Sequence, residues 1–445
     1  MISVLGWWVA VQLAGTPITL EQVREESRRQ LDAVRAELDV QRAGSDRKTA
    51  RSSIFPQVDF SVGASDFIAG PQRTFSTVPE VQPDGSINFV QKAVDTPGFS
   101  RGNFSLNLTV QQLIYDGGRW WNQIAQAGAQ EEAAKGQLEE QRLSSELEAT
   151  RRFFNLLNAQ VQLKTLEETV KRSREQVERA KGLYEAGRSP RSSWLDAQVN
   201  LGNDEISVLR QRQNIVSLRT QLLSWLGRSD GDVEAVVPEQ LDFTTAPPAF
   251  DAALGAAKKQ RPLIRALEQR LRAQEIAIDV ARADYWPRLS ASAGYGRSSP
   301  SADPFFTDPT KQNSVNFGVN LSWDLFSGLA HQANVERARV ELTRSQREQQ
   351  QTLIELEAEL KRTLATLQSE LAVLTIAERN LELAKQQEQL ETERFSAGAS
   401  TSLDVRNAQI KLTQAELAVV QGKANVAVAR AALRRVVGGT VEANP

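Results

Sequence analysis

The 445-residue chain is 40% hydrophobic and 24% charged, carries a net charge of −2 and contains no cysteine. This suits a folded protein and is too polar for a bundle of membrane helices; no apolar run reaches the roughly 18 residues that a transmembrane helix needs. The near-neutral charge gives nucleic acid nothing to bind, and the missing cysteine excludes disulfides, iron–sulfur clusters, thiol catalysis and an N-terminal lipid-bearing cysteine.

Residues 1–15 have a short apolar core followed by small residues and then Pro17, which predicts a secretory signal peptide cut near Gly15. The stretch lacks Lys and Arg, so the start of a first helix is the other reading. Residues 16–227 form a first repeat: a helix, a strand hairpin over about 57–113 and a helical hairpin over about 118–226. In Gln57–Ser65, Val58, Phe60, Val62 and Ala64 alternate with Asp59, Ser61, Gly63 and Ser65. In Asn103–Val110, Phe104, Leu106, Leu108 and Val110 alternate with Asn103, Ser105, Asn107 and Thr109. Side chains of a strand alternate between faces, so each segment has one apolar and one polar wall. Between them, Gly70-Pro71, Pro83-Asp84-Gly85 and Pro97-Gly98 predict a loop, with at most a short strand at Ser86–Gln91.

Gly118–Ala186 contains no proline, which predicts a helix of nearly 70 residues, about 100 Å at 1.5 Å per residue. Leu143, Leu147, Thr150, Phe154, Leu157 and Val161 step by four and three, the spacing of a coiled-coil seam. Gly187 ends this helix. A second follows, with Leu195, Val199, Gly202, Ile206 and Leu209 at seam spacing. Residues 228–248, with Pro238 and Pro247-Pro248, read as a linker.

Residues 249–438 repeat the plan: a helix, a strand hairpin over about 288–325, a helical hairpin over about 328–437, then a tail at 439–445. Arg288–Gly296 and Ser314–Phe326 are the alternating strands; in the second, Val315, Phe317, Val319, Leu321 and Trp323 share one wall. Leu329–Ala397 is again free of proline and carries Leu353, Leu356, Leu360, Leu364, Leu367, Leu371 and Leu374. The repeat is exact in spacing over its second part: Gly117 and Gly328, Gly187 and Gly398, and Gly227 and Gly438 all lie 211 positions apart. Four strands of bilayer-spanning length are too few to close a barrel, and lipid does not tolerate an open sheet edge. Either the chain is soluble or several copies share one barrel.

The order and spacing of these motifs resemble the TolC family of outer-membrane efflux proteins, the outer membrane factors of tripartite export systems. The resemblance rests on Phe55-Pro56 and Trp286-Pro287 before the first strand of each half, and on Tyr115-Asp116-Gly117-Gly118 and Phe326-Ser327-Gly328 after the second. Gly187 with Asp196-Ala197-Gln198, and Gly398 with Asp404 and Asn407-Ala408-Gln409, complete it. It implies an α+β membrane protein, in which a long α-helical coiled-coil barrel is continued by a trimeric 12-stranded transmembrane β-barrel, with two internal repeats per chain. It implies a homotrimer in outer-membrane lipid, extending into the periplasm, with a periplasmic adaptor (membrane fusion) protein and an inner-membrane pump as partners and no cofactor. The expected cargo is small molecules such as drugs and toxic compounds; metal-ion efflux and type I protein secretion use the same kind of conduit.

The resemblance also implies site residues. The turns Gly187, Arg188 and Ser189, and Gly398, Ala399 and Ser400, would be adaptor-docking tips. Asp404, Asn407 and Asp196 would form a periplasmic gate, where the family commonly has two aspartates in the second repeat and this chain has Asp404 and Asn407. Capping of a helix by Asp404, or its pairing with Arg406, is the alternative. An enzyme is not expected: His331 is the single histidine, and no nucleophile elbow, phosphate loop or metal-ligand cluster stands in the sequence. A soluble coiled-coil scaffold would explain the helices but not two matched pairs of alternating strands.

Overall fold

The computed structural model describes residues 16–229, 231–236, 246–301, 306–307, 313–397 and 399–439. The expected signal peptide, residues 230 and 237–245 of the linker, and the tail beyond Gly439 therefore lie outside the described residues, as does Gly398. In chain order the elements are β1 (Thr16–Ile18), α1 (Leu20–Ser27), α2 (Leu31–Ser52), β2 (Gln57–Ala69), β3 (Gln72–Val81), β4 (Ile87–Thr96), β5 (Phe99–Tyr115), α3 (Arg119–Glu185) and α4 (Arg191–Trp225). They continue with β6 (Val233–Ala235), α5 (Phe250–Gln260), α6 (Pro262–Arg282), β7 (Arg288–Ser299), β8 (Asn313–Ser322), α7 (Ala330–Ser396) and α8 (Ser402–Val437). Two compact units divide the chain, one built mainly from 129–271 and 344–445 with the N-terminal segment, the other from 44–128 and 272–343.

The second unit holds a four-stranded antiparallel sheet in the order β2-β5-β7-β8. Its register brings every apolar wall to one face. Phe60 lies opposite Leu108, Leu108 opposite Tyr295, and Tyr295 opposite Val315. The next row is Val58, Val110, Ala293 and Phe317. A slip of one residue would turn a strand's apolar set to the wrong side, so the agreement of four strands fixes the register. The other face is made of small and polar residues: Ser61, Asn107, Gly296 and Ser314 form one row. At Gly294 a Cβ would sit 2.5 Å from Asn316 Oδ1, so a side chain there requires the Asn316 amide to move. Large residues on one face and small ones on the other let a sheet curl with the small face concave. Phe60, Val62, Val315, Phe317 and Val319 remain 61–82% exposed.

The stretch between the first two strands differs from the expected loop. Residues 72–81 and 87–96 pair as a complete antiparallel hairpin, β3-β4, well beyond a short strand at Ser86–Gln91. Its Pro and Gly residues mark the turn at Pro83-Asp84-Gly85 and the breaks at either end, not continuous coil. Asp84 Oδ1 accepts from the Ser86 N–H at 3.0 Å and closes the turn. The linker reading also changes: Val233–Ala235 form β6, which pairs in parallel with β1.

In the first unit the helices run in the order α4–α3–α8–α7. Arg212 pairs with Glu167 at 2.8 Å and Arg174 with Glu205 at 2.9 Å between α4 and α3. Thr169 meets Thr413 at 3.1 Å between α3 and α8, and Asn158 donates to Gln421. Asn425 donates to Glu370 at 3.0 Å between α8 and α7. Leu356, Leu360, Leu364, Leu367 and Leu374 of α7 bury against Val419, Val426 and Leu433 of α8. Phe153, Phe154, Leu156 and Leu157 of α3 bury with Ile215, Leu222 and Leu223 of α4. One seam lies elsewhere than inside the chain: Leu195, Val199, Ile206 and Leu209 are 45–63% exposed. The α4 residues that meet α3 are a second set, including Ala197, Ile215 and Leu222. A helix has room for two apolar stripes, and α4 carries both.

Arg261, just before Pro262 at the head of α6, is buried among charges. It donates to Glu140 and to Glu359, each at 2.9 Å, and Arg435 reaches the same two carboxylates. Burial pushes the Arg261 guanidinium down, and the bonds to Glu140 and Glu359 outweigh it, so its pKa is raised.

Candidate functional site

The two helical hairpins turn with the same main-chain bonds at matched positions and differ in how the next helix starts, at Pro190 in one and at Thr401 in the other. At the first, Gly187 takes φ +69°, a left-handed conformation that costs other L-residues energy. The Arg188 N–H then bonds Leu183 O at 2.8 Å and the Gly187 N–H bonds Tyr184 O at 2.9 Å, the paired bonds that stop a helix. Tyr184 stacks on Trp194 with ring centres 5.8 Å apart, which ties the end of α3 to the start of α4. Gly187 and Arg188 are exposed and Ser189 is half-buried. A Cβ on Gly187 would meet nothing within 4 Å, so only backbone conformation demands the glycine.

At the second turn the Ala399 N–H bonds Arg394 O at 2.8 Å, and Ser400 Oγ donates to Glu391 at 2.8 Å. Ala399 is exposed and Ser400 half-buried. Thr401 then caps α8. Its hydroxyl accepts from the Asp404 N–H at 3.3 Å, and the Asp404 carboxylate accepts from the Thr401 N–H at 3.0 Å, a reciprocal capping box. All of this bonding falls on Asp404 Oδ2, including the Thr401 hydroxyl at 2.7 Å and Ser400 Oγ at 3.3 Å. The Thr401 hydroxyl, then the Thr401 backbone N–H, hold the Asp404 carboxyl below the ordinary aspartate value. Asp404 is fully exposed and stays charged.

Arg406 does not pair with Asp404, as the sequence alternative had it. Its guanidinium forks onto Asp204 of α4, at 2.9 and 3.0 Å, and donates to Ser173 of α3 at 3.2 Å. Both partners are largely buried, with the Arg406 side chain 18% and the Asp204 side chain 14% exposed. One cation of α8 thus holds α3 and α4 together near the turns. Beside it, a cavity of about 250 Å³ is lined by Ser193, Asp196, Ser402 and Leu403 with Arg406. Asp196 and Asn407 are exposed. The structure therefore brings Asp196 and Arg406 to one cavity, and keeps Asp404 in its own cap. Asp204 and Ser173 were missed by sequence reasoning. Nothing in their spacing marks them, because their partner lies over 200 residues away.

The profile of the outer membrane efflux protein family matches residues 21–228 and 253–439. Protein CyaE of Bordetella pertussis is 28% identical over 200 residues, 45% of this chain and 41% of that protein. The pyoverdine export outer membrane protein OpmQ of Pseudomonas aeruginosa is 29% identical over 187 residues, 40% of this chain and 37% of that one. The chain thus spans about two fifths of the length of these curated relatives. The fold matches a crystal structure of CusC with a TM-score of 0.75 at 18% identity, covering 95% of this chain and 92% of that one. With the family profile matching both halves of the chain, it belongs to the outer membrane efflux protein family.

Proposed function

We propose that this outer-membrane efflux protein works as a ring of three copies, in which a shared 12-stranded barrel crosses the outer membrane and 12 helices form a periplasmic tunnel. The observation that carries the reading is a pair of unmatched edges. In the sheet, β2 and β8 are the free edges, and both bear exposed large residues. Among the helices, α4 and α7 are the outer members, and each carries an exposed apolar stripe: Val199, Ile206 and Val216 on one, Ile376, Leu383 and Leu390 on the other. In both units one edge comes from the first half of the chain and the other from the second. Pairing unlike edges is a head-to-tail contact, which makes a ring when its rotation closes. Two copies would give eight strands, a barrel that side chains fill; three leave a lumen lined by the Gly and Ser face.

The family is one of export channels and not of enzymes. A periplasmic adaptor would meet the Gly187 and Ala399 turns, and an inner-membrane pump would feed the tunnel. Small molecules are the proposed cargo, supported by the relative named for pyoverdine export. The constriction would lie at the α4 and α8 starts, with Asp404 a ring of three carboxylates and Asp196 beside it. The test is the mass of the detergent-purified protein with cysteine pairs across the predicted seam. Val216→Cys with Ile376→Cys, which lie at similar heights above the turns, should crosslink into a species of three chains. A monomer in detergent, or crosslinks confined to single chains, refutes the ring; export of a dye and drug panel by a host lacking its own channel tests the cargo.

A further inference from the structure

The pairing of β2 with β5 does not stop where the four-stranded sheet does. Ala69 pairs with Phe99, and β3 resumes with Gln72 opposite Thr96, in the same register. The interruption sets Gly70 against Gly98 and Pro71 against Pro97. The ladder then continues to Val81 opposite Ile87. The last pair that β7 makes with β5 is Ser299 with Phe104, so among the described residues the ribbon beyond Gly102 is two strands wide.

No residue is inserted at the break, so odd-numbered positions of β2 and β3 stay on one face. Along Asp59, Ser61, Gly63 and Ser65 that face is the small, polar one. From Phe67 onward it turns largely apolar: Phe67, Phe75 and Val81, with Phe99, Phe89 and Ile87 from the opposite strand, interrupted by Arg101 and by an Arg73–Asp95 ion pair at 3.1 Å. Phe67 and Phe99 already touch, with centroids 6.0 Å apart. The opposite face becomes more polar, from Val58, Phe60 and Val62 to Asp66, Thr74, Ser76 and Lys92, though it loses its aromatic residues rather than every apolar one, since Ile68, Val78, Val90 and Val94 lie on it. Asp66 accepts from Ser100 Oγ at 2.7 Å at the crossover. In the single chain Phe75 and Phe89 are 69% and 68% exposed.

We propose that the three hairpins of the ring pack these apolar faces against one another and close the outer mouth of the barrel. This rests on the trimeric reading above. The occupant follows from continuity: the apolar face of β3-β4 is the extension of the face that lines the lumen, so it looks toward the other two copies. The outward face, with Asp66, Thr74 and Lys92, is the one that meets external water. Burial of six large apolar side chains per copy drives the contact, and Arg73 and Asp95 enter it already paired with each other. The right-handed twist of a two-stranded ribbon lets three of them wind together. Pro71 and Pro97 have no N–H to give to the ladder, so the ribbon bends there at little cost and cargo passes when it swings aside.

The cysteine-free chain makes the test direct. Phe89→Cys and Lys92→Cys place single thiols on the two faces of the exposed hairpin, in trimers whose mass is measured first. With a short bis-maleimide, Phe89→Cys should give crosslinked dimers and Lys92→Cys should give none while still accepting a monofunctional maleimide. In an Arg406→Met background, deleting residues 72–96 should raise single-channel conductance in planar bilayers. Trimers in which Phe89→Cys fails to crosslink, or in which both faces crosslink alike, overturn the outer closure and leave the ring intact. A monomeric mass overturns the ring and the closure with it.

Discussion

Replacing Arg406 by Met should loosen the tips and open the channel. The side chain keeps its length and loses its charge. Three bonds go: two to Asp204, at 2.9 and 3.0 Å, and one to Ser173 at 3.2 Å. Asp204 is left largely buried, though Ser173 Oγ still donates to it at 2.5 Å. Breaking a buried charge pair by removing one partner costs about 3–5 kcal/mol. The remaining Ser173 bond offsets roughly 1 kcal/mol of this, so about 2–4 kcal/mol is lost from the joined state. At about 1.4 kcal/mol per tenfold, the ratio of joined to separated helix tips falls by roughly 30- to 700-fold. Planar-bilayer conductance of Arg406→Met trimers should therefore rise well above the parent. Asp204→Leu should do the same, and the double variant should cost less than the two added together. Parent-level conductance and thermal stability in Arg406→Met would refute the idea that this cation holds the tips.

Gly187→Leu forces a branched residue to φ +69° in open surroundings. It should cost about 1–2 kcal/mol locally, leave the mass of the proposed trimer unchanged, and lower export together with crosslinking to the proposed adaptor. Asp404→Asn keeps an acceptor for the Thr401 N–H and removes the charge, so it should weaken block by divalent cations with little effect on melting, while Asp404→Ala should lower both. Because the Asp404 pKa is depressed, its carboxylate charge is present above the ordinary value of 3.8 and is lost only as pH falls through a lower one; block should persist down to that value in bilayer titrations. Arg261→Met leaves Glu140 and Glu359 together in a buried site with Arg435 as sole counter-charge, and should cost about 3 kcal/mol in unfolding assays. A melting point equal to the parent's would show that Arg435 alone satisfies both carboxylates.

Local physics made much of this fold legible. Proline-free runs with seam spacing could only be long helices, and α3 and α7 each run for 67 residues. Strict alternation assigned the faces of β2, β5, β7 and β8 before any pairing was known, because side chains of a strand point to opposite sides whatever their neighbour. The glycine at the first tip was readable for the same reason: φ +69° is a property of one residue.

Pairings between distant residues were decided by tertiary structure alone. The Pro-Gly stretches at 70–71 and 97–98 look like loop until their partners are known, and only the shared register shows a ribbon broken at two facing positions. The stripe at Leu195, Val199 and Ile206 has the spacing of a seam wherever it faces; packing turned it outward and gave Ala197 and Ile215 to α3. Arg406 had a carboxylate two residues away in sequence and took Asp204 instead. Asp404 was already held by Thr401 at the helix start, whereas the three-helix junction offered Arg406 a buried carboxylate in fork geometry. Spacing along one chain carries backbone preference and facing; the choice of partner depends on which surfaces meet, and that information exists only once the helices and strands have packed.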